Sequence, residues 1–497
     1  MSRSRLLSAL LMLVLLVTAL GTGGRAQAQT ASVTFHETGK TVSGKFLDFW
    51  NTNGGLMQLG FPISDVMQDV SATDGKTYTV QYFERAILEM HPENAGTPSE
   101  VEGALLGVHA YNDRYFGPAP GQQASTDNAT MFSQTGMTVG GKFRAYWEAN
   151  GGLARFGYPI SNEFQEQSDL DGKTRTVQYF ERAIMELHPE YAGSPFEVEL
   201  AQLGTYAYWA KTDLSYTDFT GTEVTLPARP QRIVCLVSLC EDILHELGID
   251  PVAVSDKFYQ LPQFWGPNQT FPAIGGGFGA PNVEDIAAAK PDLIIGFLPH
   301  IGLRDQLKPI APLFIMNPAK YQDSLNYLLT MARLTDRTYQ AEQSIAGFLS
   351  TLATYKAKSP NNKVPLILFG GSTNFSIFTQ GSLFGSVLSA ATNYPWPASP
   401  GPGAPDQEPG SLQYSLEKIL AVDPDVLLVE TVGAGTGGNL SKQLAANPIW
   451  SELKAVKNNQ VYEVNPNYYV FGRGTRSLSY ALADAMHDIY PDTFPAP

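Results

Sequence analysis

One stretch of this chain is written twice, and that duplication restricts the possible architectures more than any other feature. Gly44-Lys45-Phe46 returns as Gly141-Lys142-Phe143, and Asn53-Gly54-Gly55-Leu56 as Asn150-Gly151-Gly152-Leu153. Gly60-Phe61-Pro62-Ile63-Ser64 returns as Gly157-Tyr158-Pro159-Ile160-Ser161. Downstream the copies are closer still: Val80-Gln81-Tyr82-Phe83-Glu84-Arg85-Ala86-Ile87 is matched by Val177-Gln178-Tyr179-Phe180-Glu181-Arg182-Ala183-Ile184. The register never slips, so two copies of one small unit are expected. Within each, residues 43–52 and 140–149 read as a short amphipathic helix ended by Gly-Gly. The Gln-Tyr-Phe-Glu run alternates as a strand does, with Asp74-Gly75 and Asp171-Gly172 supplying the turn before it.

The repeated Glu84-Arg85 and Glu181-Arg182 suggest an acid and base pair, but matched charges in a duplicated strand are expected to form a solvated face or an ion pair of the fold. His91 and His188 are repeated too. One histidine per copy makes a metal site only if the copies face each other, so a structural role is expected. Through the Gly-Gly-Leu segment, Leu59-Gly60-Phe61-Pro62, the Asp-Gly turn and the Phe-Glu strand, residues 33–205 resemble the LGFP repeat of bacterial extracellular and cell-wall proteins. The second copy departs mildly, reading Phe156-Gly157-Tyr158-Pro159. That resemblance implies envelope attachment, with a cell-wall polymer as partner, rather than chemistry.

At 497 residues the chain exceeds one hydrophobic core, and 43% hydrophobic against 16% charged residues places it among globular chains. Residues 1–28 read as a signal peptide: Arg3 and Arg5, an apolar run from Leu6 to Leu20, then Ala26-Gln27-Ala28 as a cleavage site. The run is shorter than the ~20 residues of a spanning helix. An exported protein, periplasmic or associated with the cell envelope, is expected. The formal charge of -15 argues against nucleic acid or anionic lipid as the main partner. Cys235 and Cys240 are the only cysteines. They read either as a local disulfide or as two buried thiols.

The first copy is assigned to residues 33–117, a Pro- and Gly-rich linker to 118–129 and the second copy to 130–211. Beyond it, apolar β-rich runs alternate with helical stretches, as in parallel sheets covered by helices. Strands are expected at 232–237, 251–255, 292–297, 364–369, 426–430 and 461–464. Helices are expected at 241–247, 282–289, 382–391, 415–421 and 475–489. Between the two α/β units, 321–358 reads as one long helix whose main punctuation is Thr335-Asp336. The layout is therefore an N-lobe over 212–320, a connecting helix over 321–358 and a C-lobe over 359–497.

Several stretches make residues 228–490 resemble the substrate-binding proteins of ferric-siderophore, haem and cobalamin import systems. They are Arg232-Ile233-Val234, Asn282-Val283-Glu284-Asp285-Ile286 before Lys290-Pro291-Asp292-Leu293, Ser415-Leu416-Glu417-Lys418 before Asp423-Pro424-Asp425-Val426, and Asn447-Pro448-Ile449-Trp450. The resemblance implies an α/β, two-lobed periplasmic-binding-protein fold with one connecting helix, here preceded by two small α+β repeats. It implies a non-enzymatic receptor for a ferric siderophore or similar iron chelate, without a cofactor, that delivers to an ABC permease in the membrane. It also implies that Glu284 and Glu417, one per lobe, meet basic pockets of that permease.

Ligands of such folds sit beyond the carboxyl ends of the parallel strands. The loops there offer Tyr259, Trp265, His300, Asn374, Tyr469, Phe471, Arg473 and Arg476 as candidate ligand contacts. Aromatic faces and guanidinium groups suit large, anionic, partly aromatic iron chelates. Arg473, between Gly472 and Gly474, is the preferred contact, while Arg476 alternatively belongs to the following helix. His300 keeps haem open, as an axial ligand. No nucleophile elbow, zinc-protease motif or phosphate loop is present in the sequence. A cobalamin or haem receptor, and a wall-attached adhesin with a degenerate receptor half, are the alternatives.

Overall fold

Paired glycines punctuate both copies for one reason. Gly54 and Gly55 have φ of +82° and +48°, and Gly151 and Gly152 have +103° and +53°, a region closed to most side chains. There the chain turns from helix Gly44–Thr52 into the short helix Gly55–Gln58, and from Gly141–Ala149 into Gly152–Phe156. The computed structural model describes residues 31–168, 171–255, 270–371, 375–398, 410–431 and 438–497. The expected signal peptide lies outside them.

Each copy begins with a two-stranded ribbon and continues, after its helices, into a four-stranded antiparallel meander. The strands are Met67–Val70, Thr77–Tyr82, Ile87–Met90 and Val101–Gly103 in the first, and Phe164–Gln167, Thr174–Tyr179, Ile184–Leu187 and Val198–Leu200 in the second. The repeated residues are the joints of this unit. Gln81 and Gln178 are fully buried, and their amides donate to Thr41 O and Ser64 O, and to Thr138 O and Ser161 O. Ser64 and Ser161 in turn accept from the Tyr82 and Tyr179 amides. These bonds fasten meander to ribbon.

The copies then exchange their closing helices. Helix Leu106–Tyr115 of the first docks on the Phe-Glu-Arg-Ala turn of the second, where the Val108 amide donates to Glu181 O at 3.1 Å. Helix Leu203–Thr212 returns the contact, with the Thr205 amide donating to Glu84 O at 3.0 Å. Glu84 and Glu181 accept from the Phe61 and Tyr158 amides of their own copies, whereas Arg85 and Arg182 reach Leu200 O and Gly103 O of the opposite copy. The repeated Glu-Arg pair therefore builds the unit and its pairing. His91 and His188 each sit among carboxylates of their own copy. The segment read as a linker is tied down: Gln123 bridges Glu163, and Ala119 is buried in the apolar cluster between the copies.

The receptor half has two lobes. The N-lobe sheet is parallel, in the order Ala253–Val254, Ile233–Cys235, Leu293–Gly296, Leu313–Ile315. In the C-lobe, Pro365–Gly370, Val426–Thr431 and Val461–Val464 run parallel, and Ser376–Phe378 and Ser411–Gln413 extend the sheet antiparallel. Helices Ser238–Glu246, Val283–Ala288, Leu383–Ala391, Leu416–Val422 and Thr475–Ile489 fall within a few residues of their expected places. Cys235 and Cys240 are disulfide-bonded, which decides between the two readings left open. The connector differs from the single helix expected over 321–358. It is two helices, Tyr321–Thr335 and Thr338–Lys358, broken where Asp336 takes a φ of +59°. One apolar cluster runs through both lobes and this pair of helices.

The repeat pair docks on the connector. Arg333 donates to Asp113 at 2.7 Å, Lys211 pairs with Asp336 at 3.1 Å, and the Asp74-Gly75 turn rests on the Tyr339 ring. His109 Nδ1 meets the Glu342 carboxylate at 2.7 Å. Burial lowers the His109 pKa, but the hydrogen bond and charge of Glu342, with Asp113 nearby, outweigh it and raise it above 6.5. Glu342 is also raised, by burial first, against the opposing pull of His109. Groups raised on folding stabilise below their unfolded pKa and lose that contribution as pH rises through the folded value. Docking is therefore expected to loosen as pH rises from about 6 to about 8. The check is hydrogen exchange in Thr338–Lys358, corrected for intrinsic rate; a His109→Gln variant should lack this pH dependence, and an equal response in both chains would refute it.

Candidate functional site

The C-lobe meets the N-lobe through the segment from Phe471 to Ser477. The chain leaves strand Val461–Val464, makes a wide turn at Asn467–Phe471 and enters helix Thr475–Ile489. Between these elements Gly472-Arg473-Gly474 is buried. The Arg473 guanidinium stands 4.9 Å from the ring centroid of Phe297, the residue after strand Leu293–Gly296 of the opposite lobe. A guanidinium over an aromatic face is held by the ring quadrupole, more strongly where water is excluded. Arg473 is 5% exposed.

Around it the lobes are sewn together by helix Ser238–Glu246. The Ser238 hydroxyl donates to Phe471 O. Asp242, fully buried, accepts from the Ser477 amide at 3.2 Å and from its hydroxyl at 2.6 Å. A Cβ on Gly474 would lie 2.3 Å from the Asp242 carboxylate, so only glycine lets this helix approach. Thr475 Oγ1 donates to Glu246. Burial raises the Glu246 pKa first and Asp242 adds to it, while Ser344, Arg476 and Thr475 oppose.

The structure redistributes the expected contacts. Arg473 and Phe471 stay at the interlobe joint, Phe471 half-buried. Arg476 is corrected: it lies in the first turn of the last helix and points at the N-lobe carboxylates, 3.9 Å from both Asp242 and Glu246. Tyr469 is corrected as well. Its ring packs at 4.7 Å on Phe384 within the C-lobe, its hydroxyl donates to Asp484, and it is 1% exposed. His300 is the third correction. It is fully buried; Nδ1 accepts from the Phe297 amide at 3.0 Å and Nε2 donates to Phe278 O at 2.6 Å. Burial lowers its pKa, with the Phe278 carbonyl opposing, so the ring is neutral with both nitrogens occupied. No lone pair remains for haem iron in this arrangement. Tyr259, Trp265 and Asn374 lie outside the described residues.

His300 holds up a residue that was not singled out. Phe278 sits between Gly276–Gly277 and Ala280–Pro281 and is 52% exposed, its backbone fastened to the buried imidazole. Buried acids were missed too: Glu241, Asp242 and Glu430 are all inaccessible to solvent. Glu430 had a signal, an acid near the end of the otherwise apolar run Val426-Leu427-Leu428-Val429. Glu284 and Glu417 are exposed on the first turns of helices capped by Asn282 and Ser415. Glu417 is held below the usual carboxylate range by a backbone amide and by the Ser415 hydroxyl.

Residues 233–468 match the family model described as periplasmic binding protein. The "Fe(3+)-citrate-binding protein YfmC" of Bacillus subtilis (strain 168) is 27% identical over 277 residues, covering 54% of this chain and 84% of that protein. The "Putative ABC transporter substrate-binding lipoprotein YhfQ" of the same strain is 30% identical over 283 residues, 54% of this chain and 86% of that protein. The "Fe(3+) dicitrate-binding periplasmic protein FecB" of Escherichia coli (strain K12) is 28% identical over 272 residues, 53% and 86% respectively. Strand order, the two-lobed layout and these matches agree, and through its C-terminal half the chain belongs to the periplasmic binding protein family.

Proposed function

We propose that this chain captures a ferric siderophore or similar iron chelate between its two lobes, outside the cytoplasm, and delivers it to an ABC permease. The observation that carries this reading is the buried Arg473 guanidinium at the lobe joint, a fixed positive charge backed by the aromatic face of Phe297. Iron chelates with carboxylate or catecholate donors are anionic, and a cation held in a partly dry crevice pairs with them more strongly than one in water. The names of the relatives, which refer to ferric citrate, support the same class. In this reading Glu284 and Glu417 are the permease contacts, one per lobe. The repeats, like those they resemble, tether the receptor to the envelope from the connector side. No helix among the described residues is long and apolar enough to cross a membrane.

Tryptophan quenching of the full chain, titrated with ferric catecholates, ferric hydroxamates, ferric citrate, cobalamin and haem, is the test. One ferric chelate should bind saturably, and Arg473→Ala should weaken it at least about tenfold, the contribution of one charged hydrogen bond. Saturable binding of cobalamin alone, or of nothing in the panel, would overturn the assignment.

A further inference from the structure

The two copies and the receptor's connecting helices line a cavity of about 390 Å³, separate from the interlobe joint. Its walls are paired by the duplication. Tyr82 and Tyr179, Ile87 and Ile184, and Glu89 and Glu186 line it from matched positions, and Arg333, Asp336 and Glu342 contribute from the receptor. Val80, Leu106 and Leu203 add apolar surface.

The charge of this lining is unbalanced: among the described residues, seven carboxylates face four Lys or Arg side chains. The cations are already engaged. Lys211 pairs with Asp69 and Asp336, Arg333 with Asp113, and Arg114 with Glu166, while Arg229 donates to backbone carbonyls of Lys211, Arg333 and Leu334. Glu89 and Glu186 have the imidazoles of His91 and His188 at 3.5 and 3.7 Å. Burial raises the pKa of both carboxyls and outweighs the opposing pull of Ser71 and His91 on Glu89 and of Arg175 and His188 on Glu186. Beside them, on one face of a helix, buried His109 Nε2 and Asp113 Oδ1 have no hydrogen-bond partner in the protein. Buried polar atoms of that kind are uncommon and point to a bound polar group.

We propose that this cavity is a second small-molecule site, taking a compact organic cation whose primary ammonium pairs with Glu89 or Glu186. Its body lies along the apolar wall formed by Val80, Ile87, Ile184, Leu106 and Leu203. The volume is within the range of small-molecule pockets, and apolar lining with a few placed polar groups is their usual composition. An anion would meet the carboxylate excess. A bare metal ion is a poor fit, because no three His, Cys, Asp or Glu side chains among the described residues converge as ligands. Since Arg333 and Glu342 belong to the connector, an occupied site also ties the repeats to the receptor. The proposal is independent of what the lobe crevice binds.

Isothermal titration of the full chain with butylamine, glucosamine and glucose tests it. At least one amine should bind saturably and glucose should not; butylamine alone assigns a hydrocarbon body, glucosamine alone a sugar body, and either supports the site. The double variant Glu89→Gln with Glu186→Gln should weaken amine binding at least about tenfold. Ala207→Phe, which fills the cavity from the second closing helix, should abolish it without changing the response to ferric chelates, and it decides alone if the double variant does not fold. Absence of saturation by either amine, glucose binding as well as glucosamine, or amine binding that survives the variants would overturn the proposal.

Discussion

Replacing Gly107 and Gly204 together by alanine is expected to undo the pairing of the two copies. A Cβ on Gly107 would stand 1.8 Å from Phe180 O, and one on Gly204 would stand 1.9 Å from Phe83 O. Both obstacles are backbone atoms of the facing turn, so no rotamer change relieves them. Each closing helix must back away, and the bonds from Val108 to Glu181 O and from Thr205 to Glu84 O lengthen or break. Overpacking of this kind costs about 1–3 kcal/mol per site. For a unit of this size the repeat-pair transition should fall by roughly 5–10 °C, while the receptor transition stays in place. Scanning calorimetry with hydrogen exchange of Leu106–Tyr115 reads both. An unchanged melting temperature with full protection of that helix would show that the copies do not depend on each other.

The second large effect is expected at Asp242→Ala. Asp242 is fully buried where the helix Ser238–Glu246 of one lobe meets the start of the last helix of the other. Removing its carboxylate takes an acceptor from the Ser477 amide and hydroxyl and an anion from beside Arg476. Breaking a buried charged network from one side destabilises by about 3–5 kcal/mol. Arg476 keeps Glu246, which places the expectation near the lower figure. Urea unfolding of the receptor transition should show the loss, and Asp242→Asn, which retains one acceptor oxygen, should recover part of it. Equal urea midpoints for Asp242→Ala and the parent chain would remove this residue from any structural role at the joint.

Both sites show why reading along the chain reached the elements and stopped short of the joints. Gly107 opens no motif of its own; its necessity comes from Phe180, 73 residues further on. Asp242 reads as an ordinary polar position of an amphipathic helix. Only the packing of that helix against Gly474 makes it inaccessible. The aromatic candidates fared unevenly for a similar reason: Tyr469 and Phe471 are neighbours in one turn, yet Tyr469 fills the C-lobe while the Phe471 carbonyl serves the opposite lobe. A loop's sequence states which groups are present, and not toward which neighbour each one turns.

What this sequence determines by itself is everything with a short physical range. Duplication defines two copies, because identical local patterns fold to identical local structures. The alternation of apolar β-rich runs with helical stretches defines two parallel-sheet lobes, since periodicity alone says which faces must be buried. The tertiary structure decided the rest: the mutual exchange of closing helices, the docking of the repeats on the connector and the burial of His300. Each depends on contacts between residues far apart in the chain, and local propensity carries no information about which distant partner a face will find.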